Sequence, residues 1–178
     1  MSHRSVVLIG MMGAGKSAVG EGLADQLGYD FIDTDALIVK EAGKSISKIF
    51  AEDGEVAFRA LEEKVIDGLR NARSKVIAVG GGAPTSLANR QAFGTIGTSV
   101  YLKASAQELY QRIKNDRGRP LMQVENPRSQ MAKLLREREE VYEKADIVID
   151  TEMLSVDEVV EKLIDELAKR TFETHSDL

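Results

Sequence analysis

Apolar and polar positions along the chain fall into a regular succession of short apolar runs and longer amphipathic stretches. The short runs stand near Val6 to Ile9, Tyr29 to Ile32, Val76 to Val79, Ser99 to Leu102 and Ile147 to Ile149. Between them, apolar residues recur at helical spacing over about 16 to 27, 34 to 42, 45 to 70 with a break at Asp53-Gly54, 85 to 92, 105 to 114, 127 to 143 and 155 to 169. Continuous apolar runs suit strands buried on both faces, and strands separated by helices connect in parallel. The pattern therefore predicts one α/β domain over residues 1–178, a three-layer α/β/α arrangement around a five-stranded parallel sheet. One segment breaks the alternation. Asn115 to Glu125 is polar, carries Gly118 and Pro120, and stops before Asn126-Pro127, which suits the N-cap and first residue of a helix. A lid over about 112 to 125 is the expectation.

Composition narrows the function. The 178 residues are 43% hydrophobic, enough for a sizeable core, and their net charge of -5 argues against a general nucleic-acid binder. Any role for arginines must be local. Cysteine is absent, which removes disulfides and thiolate metal sites and suits a reducing cytosol. The only histidines, His3 and His175, lie in polar ends, so histidine catalysis is not expected. The opening MSHRS has no signal-peptide core, and no apolar run approaches the ~18 residues of a membrane span. A cytoplasmic protein with no membrane or nucleic-acid partner is expected.

The chemistry starts at Gly10-Met11-Met12-Gly13-Ala14-Gly15-Lys16-Ser17, a G-x-x-x-x-G-K-S sequence between the first predicted strand and helix. Its glycines let the backbone curl so that successive N–H groups face phosphate oxygens at the positive end of a helix. Lys16 adds a mobile charge and Ser17 a hydroxyl for Mg²⁺. Met11 and Met12 fill tolerant positions and change nothing electrostatic. Asp33-Thr34-Asp35 follows the second strand at the sheet edge where ligands of open α/β sheets bind. Strand alternation would point both carboxylates the same way, Asp33 toward a Mg²⁺ water shell and Asp35 toward an acceptor hydroxyl. Either could equally be a helix N-cap. Asp150, ending the last strand, is a weaker rival for the metal.

Gly80-Gly81-Gly82 ends the third strand and offers bare amides to a ligand, or a tight turn. Arg138 sits among Met131, Leu134, Val141 and Tyr142 at helical spacing, on the apolar face, and an inward arginine requires an anion. That anion is a buried protein carboxylate or a ligand's acid group. Arg59 has Glu62 three residues on, the spacing of a solvated ion pair. Arg117 and Arg119 lie in the flap, either closing over a transferring phosphate or as solvated loop charges.

The succession GMMGAGKS, FIDTDALI, EVAFRALE, VGGGAP, RGRPLM and REREEVY, in order from residue 5 to about 150, resembles the shikimate kinase family. The resemblance implies a P-loop kinase fold with a mobile lid and a substrate-binding helical region at about 33 to 62. It implies ATP and shikimate as substrates, Mg²⁺ as cofactor, and a monomer. It places Gly13, Ala14, Gly15, Lys16, Ser17 and Ala18 on the nucleotide, Ser17 and Asp33 at the metal, and Asp35 on the attacking hydroxyl. Arg59, Arg138 and Gly80 to Gly82 would bind the acceptor's acid, Arg119 would reach the phosphates as a catalytic lid arginine, and Arg112 would lie beside adenine. Some relatives carry an arginine after the last strand where this chain reads Asp150 to Ser155, so adenine contacts there are open. In-line transfer through a loose transition state needs little base strength, so a normal carboxylate pKa would suffice for Asp35. The rivals are a P-loop kinase for gluconate or a nucleotide, and a nucleotide-binding switch or inactive relative. The first is told apart by its acceptor; the second is disfavoured by the intact Lys16, Asp33, Asp35 and Arg138 and by the lack of an N-K-x-D tetrapeptide.

Overall fold

The computed structural model describes residues 4–116 and 118–176; His3 and Arg117 lie outside the described residues, as does the side chain of His175. In chain order the elements are β1 (Ser5–Ile9), α1 (Lys16–Leu27), β2 (Asp30–Asp33), α2 (Thr34–Ala42), α3 (Ile46–Glu52), α4 (Gly54–Asp67) and β3 (Lys75–Ala78). A 3-10 turn (Ala83–Thr85) leads to α5 (Leu87–Ile96), β4 (Gly97–Lys103) and α6 (Ala106–Ile113). A second 3-10 turn (Pro120–Met122) precedes α7 (Pro127–Tyr142), β5 (Ile147–Asp150) and α8 (Val156–Ser176).

The five strands pair in the order β2-β3-β1-β4-β5, every pair parallel, with Val7 facing Ile77 on one side and Ser99 on the other. Central β1 is sealed on both faces: Val6, Val7, Leu8 and Ile9 are at most 3% exposed, which is why its apolar run shows no alternation. Each such side chain contributes roughly 1.5–3 kcal/mol by burial. The chain leaves β1 toward β2 and leaves β3 toward β4, in opposite directions. Right-handed crossovers then put α1 and α5 on opposite faces and open a crevice at the C-terminal ends of β1 and β3.

A second, smaller core joins Ile38, Ile49 and Phe58 across α2, α3 and α4, with the Phe50 and Phe58 rings 4.8 Å apart. These helices form a cap beside the crevice; it corresponds to the region expected at 33 to 62 and runs on to Asp67. The helix break falls at Asp53-Gly54, as the pattern predicts.

Several element boundaries differ from those the pattern predicts. The helix expected at 85 to 92 starts at Leu87, because Ser86 caps it by accepting from the Asn89 N–H, and runs past Gly94 to Ile96. Buried Phe93 and Ile96 hold that last turn against a glycine that local propensity would use to end it. The helix expected to end near 169 continues to Ser176. Finally, α6 reaches Ile113, within the helix expected at 105 to 114, so the lid expected from about 112 begins instead at Lys114, carrying a 3-10 turn whose Met122 is buried. Among the described residues no helix is long and apolar enough to cross a membrane.

Candidate active site

Three connections leave the crevice end of the sheet side by side: the glycine-rich loop after β1, Asp33 to Asp35 after β2, and Gly80 to Gly82 after β3. The first loop curls through Gly13 and Gly15, both left-handed with φ of 83° and 88°, onto the N-terminus of α1. Gly13 is also pressed under α6, where a Cβ would meet the Leu109 carbonyl oxygen at 2.9 Å. Lys16 opens α1, and its Nζ donates to the carbonyls of Gly10 (2.8 Å) and Met11 (3.0 Å). Burial pulls its pKa down to about 8, with Asp35 acting against the shift and Arg119 adding to it.

Asp33 is the N-cap of α2 and also faces Ser17. Its Oδ1 caps α2 by accepting from the Asp35 N–H at 2.8 Å, and its Oδ2 faces the Ser17 hydroxyl at 3.4 Å. Ser17 and Asp33 thus present hard oxygen donors beside the phosphate loop, a set that fits an ion such as Mg²⁺, which keeps waters and phosphate oxygens as its other ligands. Asp35 stands in the first turn of α2, so helix geometry and not strand alternation aims it. Its Oδ1 is buried with no hydrogen-bond partner, and burial, then the neighbouring Asp33, raises its pKa. An ordinary carboxylate would suffice for the chemistry, and the fold supplies one whose pKa is raised.

Glu62 joins the site without having been singled out in the sequence. It is 1% exposed, and its Oε1 accepts from Arg59 Nη1 at 2.8 Å. The Arg59 pair is therefore not the solvated one its spacing suggests, although Glu55 adds a more exposed contact at 3.2 Å. Oε2 of Glu62 has no partner, and burial raises the carboxyl pKa. The signal was there: Phe58, Glu62 and Ile66, four residues apart, are the buried positions of α4.

The glycine strip is bare because charged groups crowd it. A Cβ on Gly80 would lie 2.7 Å from Glu62 Oε2 and 3.4 Å from Asp35 Oδ1, and one on Gly82 would overlap the Arg59 guanidinium. One on Gly81 would stand 3.4 Å from Arg138 Nη1 and equally far from the Gly10 carbonyl oxygen and Met12 N. Arg138 is 7% exposed and, among the described residues, is paired with no carboxylate; its near neighbour is the Met11 sulfur, 3.7 Å from Nη1. Met11 is thus not electrostatically idle, since its thioether is the acceptor offered to a buried guanidinium. Leaving such a charge without an anion is costly, and an acid ligand relieves that cost.

At the rim, Arg119 Nε donates to Asp116 Oδ2 at 2.9 Å, while Asp116 Oδ1 accepts from the Gly118 N–H at 2.9 Å. Its charge lies close enough to act on both Lys16 and Asp35. A cavity of about 320 Å³ separates this turn from α6 and the start of α7. Arg112 lies on another side of the loop, donating to the carbonyls of Gly13 (3.3 Å) and Thr151 (3.4 Å). It ties the phosphate loop to the segment after β5. Asp150 is exposed, accepts from the Glu152 N–H at 2.9 Å and stays outside the cluster. Lys16, Ser17, Asp33, Asp35, Arg59, Gly80 to Gly82 and Arg138 meet around one crevice, with Ala14 and Ala18 in the loop and its helix.

The chain is similar to known proteins in both sequence and fold. A family model described as shikimate kinase matches residues 12–168. A shikimate kinase of Thermodesulfovibrio yellowstonii is 44% identical over 163 residues, covering 92% of this chain and 94% of that protein. One from Geobacter sulfurreducens is 46% identical over 160 residues, covering 90% and 88%. The solved structure of shikimate kinase from Acinetobacter baumannii in complex with shikimate superposes with a TM-score of 0.91 at 36% identity, covering 94% of each chain.

Proposed function

The chain belongs to the shikimate kinase family, and from that premise we propose how its own residues carry out ATP-dependent phosphorylation of shikimate to shikimate 3-phosphate. The observation that carries the reading is Arg138, a buried guanidinium paired with no carboxylate among the described residues, set beside Gly81 and hard against the phosphate loop. It is an acid-binding position next to a phosphate-binding one.

In this reading the carboxylate of shikimate lies between Arg138, Arg59 and the strip Gly80 to Gly82. Two arginines suit a planar acid better than lysines would, because each presents a fork of donors. The ring then brings its 3-hydroxyl to Asp35, whose unpartnered Oδ1 accepts the proton, and burial strengthens that carboxylate as a base. The hydroxyl oxygen forms its bond to the γ-phosphorus as the bond to the bridging oxygen breaks, leaving the electron pair on ADP. Lys16 exchanges its two carbonyl acceptors for β- and γ-phosphate oxygens, and Arg119 turns its guanidinium to the transferring group from the flap. Arg112 stays at the edge of the adenine space. Ser17 and Asp33 would hold Mg²⁺, which when bound neutralises charge on the two terminal phosphates. The enzyme works as a cytoplasmic monomer without a nucleic-acid or membrane partner.

A coupled ADP-release assay tests the reading. Shikimate should elicit Mg²⁺-dependent ADP formation, with gluconate and AMP near background. Equal rates with gluconate would contradict it.

A further inference from the structure

Tyr142 has no part in the chemistry above, yet it ties three parts of the site together. It is fully buried at the end of α7, one turn beyond Arg138, with its ring tilted on Tyr101 at a centroid distance of 5.0 Å. Its hydroxyl donates a short hydrogen bond to the Gly81 carbonyl and stands 3.6 Å from the Met11 sulfur, the same atom that faces Arg138 Nη1. Phenylalanine would fill the same volume without a polar atom to satisfy, so the hydroxyl calls for a reason.

The reason lies in the peptide it holds. Glycine backbone reorients easily, whereas an acid-binding amide must point one way. The peptide unit is planar, so fixing the Gly81 carbonyl toward α7 turns the Gly82 N–H to the opposite side. None of the amides of Gly80, Gly81 and Gly82 has a partner among the described residues. Burial raises the phenol pKa, with the nearby Arg138 charge acting against the shift, and the donor stays protonated.

We infer that Tyr142 is a positioning residue for the acceptor's carboxylate: together with the Met11 sulfur, its hydroxyl sets the Gly81–Gly82 peptide and the Arg138 guanidinium as one unit. Neither Tyr142 nor the Met11 side chain then touches the reacting atoms. The inference rests on the shikimate reading above. It places the effect in acceptor binding, with the chemical step and the nucleotide left alone.

Tyr142→Phe keeps the ring on Tyr101 and removes only the hydroxyl. It should raise the KM for shikimate about tenfold, the scale of one lost hydrogen bond to a functional group, with kcat and the KM for ATP within about twofold of the parent. Met11→Leu conserves volume and should raise the same KM by about threefold. In an Arg138→Met background, Tyr142→Phe should add less than about threefold, because the unit it serves is already broken. An unchanged shikimate KM with a lowered Tm would overturn the inference and leave Tyr142 as a core hydrogen bond alone. The same tenfold cost with and without Arg138 would overturn it too, since the hydroxyl would then act independently of the arginine. If the unsubstituted enzyme formed no ADP with shikimate, the functional reading would fail first, a result recognisable before any variant is made.

Discussion

At the scale of single residues, the site stores charges that folding alone would reject. Asp35 is the clearest case, a carboxylate whose pKa is raised by burial and by Asp33 and whose Oδ1 has no partner. A raised carboxyl pKa means that the ionised form costs the folded state. The penalty is absent below the ordinary carboxylate range, where the group is protonated folded or unfolded, and grows as pH rises through the folded value. Asp35→Asn should therefore lower kcat by ~10²-fold or more while raising Tm at neutral pH, with the Tm gain fading as the pH falls toward 4. Scanning calorimetry across pH beside steady-state kinetics checks both halves. Arg138 obeys the same logic. Arg138→Met should weaken shikimate binding by roughly 2–4 kcal/mol in calorimetry, and the ligand-free protein should melt no lower than the parent. Lys16 carries the complementary signature. With its pKa near 8, phosphate oxygens that favour the ammonium should draw in a fraction of a proton when ATP binds at pH 8, and little at pH 6.5. Titrations in buffers of different ionisation enthalpy would read that uptake directly.

At the scale of elements, the flap is where sequence and structure separate most. The strands and the phosphate loop were legible because two strong signals coincide there: a doubly buried strand shows no polar alternation, and a loop that wraps phosphate needs glycine at fixed places. Arg138 was legible because helical spacing put a charge among apolar neighbours. The burial of Glu62 is signalled only by its four-residue spacing from Phe58 and Ile66, because three residues from an arginine a glutamate reads first as a surface partner, and the packing of α4 against the glycine strip is what removes it from water. Met11 reads as electrostatically idle in the sequence because nothing local places its sulfur between residues 127 and 131 positions away. In the flap, composition announced a loop but not the Asp116 turn that holds Gly118 and Arg119. An exposed pair of this kind contributes little to stability, so it can yield when phosphate arrives. Arg119→Ala should accordingly cut kcat strongly with the shikimate affinity of the nucleotide-free enzyme almost unchanged. Amides of residues 114 to 126 outside the buried turn at Met122 should exchange quickly without ligands and slow when an ATP analogue and shikimate are added together. Protection already present in the ligand-free enzyme would make the segment a static loop.

At the scale of the whole molecule, the architecture explains why so few residues suffice. A sheet ordered β2-β3-β1-β4-β5 sets the ends of β1, β2 and β3 next to one another, so a phosphate loop, an acidic pair and a glycine strip share one crevice. The main core holds the phosphate side rigid, while the smaller core of Ile38, Ile49 and Phe58 carries Asp35 and Arg59 on a helical cap with its own packing. In the proposed function, acid recognition by α7 and α4 fixes which hydroxyl of the acceptor meets Asp35. That geometry is the central claim, and the product itself reports on it. Incubation of the enzyme with Mg²⁺, ATP and shikimate, followed by ³¹P NMR, should show the γ-phosphate signal replaced by a single phosphomonoester on the 3-hydroxyl. A phosphomonoester on another hydroxyl, or inorganic phosphate with shikimate left unchanged, would contradict it.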